Sequence, residues 1–263
     1  MLSLEQEFRW SRETISGAVA INLFLFGLAG PFLGRLMDVY GVKAITVFLI
    51  VLVTLGAGGS VLMQESWQLY LLWGVVIGAG SGGTSMIMGS AVVNRWFHER
   101  RGLALGILGA AFSSGQLIFT PILMNLNIHE GWRTSTLFIV VLLGLVVLPL
   151  VIWLMVDNPS LRGMRPYGAN GNMDTALCPD RNPMRKAMAN PQFWLLAFSF
   201  GICGLTTSGL FQTHLIPHGI EHGFLDMTMA VSLGLMGATD IFGTILSGWL
   251  SLRGGKPSSP QKR

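Results

Sequence analysis

Seven stretches of this chain, 14–34, 44–63, 67–94, 102–128, 134–156, 187–213 and 227–251, run for about 20 residues or more with almost no charged side chain. A helix of that length crosses the hydrocarbon core of a bilayer, and inside lipid each backbone N–H and C=O must be satisfied within its own segment. The expected architecture is therefore all-α, a polytopic membrane bundle of about seven helices. Composition agrees: 51% of residues are hydrophobic and 11% charged, where soluble domains carry about a quarter.

Basic residues set the expected orientation, because they are retained on the cytoplasmic side. One set of connections holds Arg35 and Lys43, then Arg95, Arg100 and Arg101, then Arg162, Arg165, Arg181, Arg185 and Lys186, then Arg253, Lys256, Lys262 and Arg263. The alternate set holds only Arg9, Arg12 and Arg133. Seven spans with the amino end outside and the carboxyl end in the cytoplasm satisfy every loop. The expected location is the plasma (inner) membrane, with the lipid bilayer as the first partner. The net charge of +4 does not point to nucleic acid, since the cations sit in short loops between apolar runs.

Three regions follow. Residues 1–156 hold five spans, an amino-terminal bundle. Residues 157–186, with Pro159, Pro166, Pro179 and Pro183 and five basic residues, read as a cytoplasmic linker. Residues 187–263 start a second bundle with two spans and a polar tail.

Two loop patterns carry more information than the spans. Gly34-Arg35-Leu36-Met37-Asp38-Val39-Tyr40-Gly41-Val42-Lys43 has the spacing G-x-x-x-D-x-x-G-x-K. Gly34 permits close helix contact, Asp38 can cap or charge-pair at the next helix's amino end, and Gly41 allows the positive φ of a tight turn. Its glycine spacing returns at Gly248 to Lys256, with Leu252 in place of the aspartate. If the first and seventh spans are equivalent units, the repeat is six helices long and a helix is expected before the first. Small residues also cluster: Gly78, Gly80, Gly82 and Gly83 in the third span, Gly102, Gly106, Gly109 and Ala110 in the fourth. Such residues let helix backbones approach closely in lipid.

On these residues the chain resembles the major facilitator superfamily, whose loop between helices two and three carries G-x-x-x-D-R-x-G-R/K; Val39 stands where the arginine is usual. Trp10-Ser11-Arg12, and Trp96 to Gly106 with Arg100 and Arg101, are similar to motifs of its monocarboxylate porter and oxalate/formate antiporter branch. The resemblance runs from Phe8 to Arg253. It implies a partial major facilitator fold, helices two to eight of twelve, with helix one and helices nine to twelve absent. It also implies a secondary carrier working by alternating access on small organic anions such as monocarboxylates, with a proton or in exchange.

Asp240 matches the helix-eight aspartate of the monocarboxylate porters. A carboxylate deep in a span is costly unless paired, hydrated or protonated, so it is expected either to carry a proton or to bond Thr239, Thr244 or Ser247. Thr244 stands one turn later, where some relatives hold an arginine. His214, His218 and His222 recur every four residues near the outer mouth. His214 and His218 are the candidates for a proton or substrate path, although Pro217 and Gly219 interrupt a helix there. No run of catalytic or metal-binding residues and no cofactor motif is evident, so the chain is not expected to be an enzyme. The alternatives are a seven-helix receptor and a carrier of another class, such as drug or sugar efflux.

Overall fold

The computed structural model describes residues 2–168, 188–204, 206–207, 215, 218–220 and 222–254. A short helix α1, Leu2–Phe8, precedes α2, Arg12–Tyr40, and α3, Val42–Val61. They are followed by α4, Ser66–Trp96, α5, Arg101–Glu130, and α6, Trp132–Leu154. α7, Pro191–Gly204, and α8, Asp226–Gly254, complete the order.

Among the described residues, six helices are long and apolar enough to cross a membrane. They coincide with six of the seven expected spans. The remaining one, 187–213, is seen as the 14-residue α7, and most of its later part lies outside the described residues. α6 is the most apolar span, and none of its most apolar window is buried within the protein.

Local sequence explains the boundaries. Ser11 caps α2 by accepting from the Thr14 amide at 3.2 Å. α2 ends at Gly41, whose φ of 92° makes the tight turn into α3. At the start of α4, the Gln68 side chain accepts from the Glu65 amide at 3.1 Å and from Gln64 at 2.7 Å, a capping box. Gly131, at φ 85°, turns α5 into α6.

α4 is not uniform. Leu69–Ile77 is wound as π-helix, and the Asn22 side chain donates through Nδ2 to the Trp73 carbonyl at 2.6 Å within it. The following glycines then meet α2 directly: a Cβ on Gly78 would lie 2.8 Å from the Asn22 backbone. The expected close approach in the third span is thus made between α4 and α2.

At one end of the bundle α1 is fastened to the α5–α6 turn. Glu7 accepts from the Trp132 indole and pairs with Arg133 at 2.6 Å. At the opposite end the chain beyond α6 is held in place. The Tyr167 amide donates to the Trp96 carbonyl at 2.8 Å, and the His98 amide donates back to the Tyr167 carbonyl at 2.8 Å. The first residues of the expected linker are therefore tied to the α4–α5 connection.

Candidate functional site

α8 runs antiparallel along α5, in the most extensive contact between any two described helices. The seam is built from small residues. Gly102, Gly106, Gly109 and Ser113 are spaced by four, three and four, which places them on one face of α5. A Cβ on Gly106 would stand 2.8 Å from the Thr244 carbonyl oxygen, and one on Gly248 would stand 2.8 Å from that of Gly102. Neither position has room for a larger side chain while the backbones stay this close.

Midway along the seam the two helices share a polar contact. Ser113, 1% exposed, donates through Oγ to Asp240 Oδ2 at 2.5 Å and also approaches the Gly109 carbonyl at 3.1 Å. Two of the three partners expected for Asp240 are engaged elsewhere. The Thr244 hydroxyl bonds the Asp240 backbone carbonyl at 2.9 Å, and the Thr239 hydroxyl bonds Met236 at 2.8 Å. Ser113 was not among the residues singled out from sequence. The signal for it was the small-residue spacing that begins at Gly102.

The seam leaves the histidines apart. His218 is exposed, its ring 4.3 Å from that of His222. Gly219 lies beside Met229 in the first turn of α8, and Asp240 is a further 11 residues along, about 16 Å of helix. His214 lies outside the described residues. Among the described residues no group of three or more side chains is arranged to hold a metal ion.

The loop motif forms a separate cluster where α2 meets α3. Asp38 accepts from Arg95 at 3.3 Å, and Arg95 also donates to the Met37 carbonyl at 2.9 Å. Asp38 therefore pairs with α4 and does not cap α3. The α3 amino end is held by Asp157, whose Oδ1 accepts from the Lys43 amide at 2.8 Å. Asp157 comes from the end of α6, which a reading by local spacing could not connect to Lys43. Its carboxylate occupies the space over Gly41, where a Cβ would meet it at 2.9 Å. Gly34 rests in ordinary contact with Ile87, and Arg35 is exposed. Arg100 caps α5 in the left-handed region, φ 58°, and Arg101 donates to the Phe97 carbonyl at 2.8 Å.

Comparison with known proteins sets the sequence beside membrane transporters. Mouse monocarboxylate transporter 11 is 28% identical over 260 residues, covering 97% of this chain and 54% of its own length. The uncharacterized MFS-type transporter YcxA of Bacillus subtilis is 26% identical over 260 residues, 95% of this chain and 59% of that one. The MFS-type transporter hasB of Aspergillus fumigatus is 28% identical over 240 residues, 88% and 51% respectively. The chain thus spans about half the length of the curated relatives it matches. The profile of the Major Facilitator Superfamily matches residues 1–260, and the chain belongs to that superfamily as an integral membrane protein of helical fold, not an enzyme.

Proposed function

We propose that the chain serves the transport of small organic anions of the monocarboxylate kind, as a secondary carrier working by alternating access. In this reading residues 1–156 and 187–263 belong to two bundles joined by the 157–186 linker, and α5 and α8 form the contact between them. The observation that carries the proposal is the Ser113–Asp240 bond. It sets a titratable group at the seam where two bundles would move against each other. Asp240 takes up a proton in one state and releases it in the other, and Ser113 positions the carboxylate.

Support for the substrate class comes from the monocarboxylate transporters among the relatives. The superfamily match favours a carrier over the seven-helix receptor. A chimaera tests the reading, with this chain replacing the matching half of a relative in proteoliposomes. An inward proton gradient should drive uptake of labelled short-chain monocarboxylate. Asp240→Asn should abolish that uptake and spare exchange of label at equal concentrations. Proton-driven uptake unchanged by Asp240→Asn would remove Asp240 from the mechanism, and uptake of sugars or drugs instead of carboxylates would overturn the substrate class.

A further inference from the structure

The turn before α8 carries two histidines that the seam does not use. The His222 amide donates to the His218 carbonyl at 3.2 Å, which closes one helical turn between them. Gly223, at φ 85°, ends that turn. Its amide donates to the Ile220 carbonyl at 3.0 Å, and the Phe224 amide donates to the Gly219 carbonyl at 3.0 Å. That pair of bonds is the glycine-terminated close of a helix and fixes its last turn. Gly219 thus lies inside the turn and does not break it, and it is buried beside Met229 of α8.

Residues four apart on a helix share a face. The two rings accordingly stand 4.3 Å apart, centroid to centroid, and both residues are exposed. Their nitrogens are not equivalent. His222 Nδ1 lies 2.9 Å from the His218 carbonyl oxygen, and a carbonyl can only accept, so Nδ1 carries the hydrogen. In the neutral ring the lone pair then belongs to Nε2. A histidine that ligates a metal is ordinarily held this way, with one ring nitrogen donating to a carbonyl or carboxylate and the other turned to the ion. The exposed His218 ring can swing a nitrogen toward the same point. Two imidazoles on one zinc ion, in tetrahedral geometry, hold their nitrogens about 3.4 Å apart, a spacing within reach of rings this close. Histidines at this spacing on one helical face are also the arrangement by which zinc-binding helices take up the ion.

We propose that His218 and His222 form a binding site for a divalent transition ion of the zinc class, with two imidazole nitrogens from the chain and water in the remaining positions. The bound ion ties the two ends of the turn together, and the packing of Gly219 carries that constraint to the start of α8. The site stands apart from Asp240 and does not depend on which solute the protein carries.

The test titrates zinc chloride into the purified, untagged full chain in a calorimeter, with Cys178→Ser and Cys203→Ser in place so that no thiol competes. The chain should bind one zinc ion saturably. His218→Ala and His222→Ala should each weaken binding by roughly tenfold or more, at least what loss of a supporting group costs a metal site. His129→Ala, which removes an exposed histidine elsewhere, should leave it unchanged. His222→Gln keeps a side-chain donor for the His218 carbonyl and should lose binding all the same, which separates ligation from upkeep of the turn. With zinc at about 100 times its dissociation constant, exchange of the His222 amide should slow roughly a hundredfold, because opening the turn breaks the site. No saturable binding by the chain, binding that survives His222→Ala or His222→Gln, or amide exchange unchanged by zinc would each overturn the proposal.

Discussion

Ser113 on α5 donates to the Asp240 carboxylate on α8 across 127 positions of sequence. The bond joins a fully buried hydroxyl to a side chain whose residue is exposed. Ser113→Ala should therefore weaken the α5–α8 contact modestly, by about 0.6 to 1.7 kcal/mol, the range of hydrogen bonds between membrane helices. Unfolding in mixed micelles measures this. Asp240→Asn keeps an acceptor for Ser113 and should cost less than Ser113→Ala; a larger loss would mean that the charge, not the bond, holds the seam.

The glycines of the seam separate close approach from helix propensity. Gly106→Ala and Gly248→Ala place a Cβ against backbone oxygen at 2.8 Å, so each should destabilise by about 1 to 3 kcal/mol. Gly115 and Gly243 have nothing within 4 Å of such a Cβ. Alanine there should stabilise by about 0.5 to 1 kcal/mol through helix propensity. The thermal midpoints of the four variants should split into two pairs of opposite sign.

Asp157, three residues past the end of α6, caps α3. Asp157→Ala should cost about 1 kcal/mol and speed hydrogen exchange at the Lys43 amide. Asp38→Ala removes a surface ion pair and should cost less than about 1 kcal/mol. The reverse ranking would return the capping role to Asp38.

Topology can be read independently of any substrate. Reporter fusions after Glu65 and Glu130 should report the outside, and fusions after Arg100 and Met173 the cytoplasm. A reversed result at any one of the four would mean a miscounted span.

Much of the fold was legible because lipid imposes a simple rule on length and charge. The six described spans match stretches read from hydropathy alone, and Gly41 has the positive φ that its place in the loop motif required. The seam was half legible. The small residues of α5 pointed to a close neighbour, but nothing local in the sequence named α8 as that neighbour or Ser113 as the partner of Asp240. Capping failed for the same reason. By local spacing Asp38 can cap or charge-pair, and it pairs with Arg95, whereas Asp157 reaches Lys43 only because α6 ends beside α3. Long-range pairings depend on how helices assemble, and spacing along one segment cannot report that.

The attachment of Tyr167 to Trp96 and His98 shortens the covalent path that joins the two proposed bundles. Measured from the end of α6 at Leu154, some 36 residues separate it from α7, a reach on the order of 125 Å at full extension. Measured from Tyr167, about 23 residues remain, a reach nearer 80 Å. A shorter tether raises the effective concentration of one half around the other. In the proposed two-bundle arrangement, residues 1–156 and 187–263 would therefore stay near neighbours whenever the contact between α5 and α8 opened.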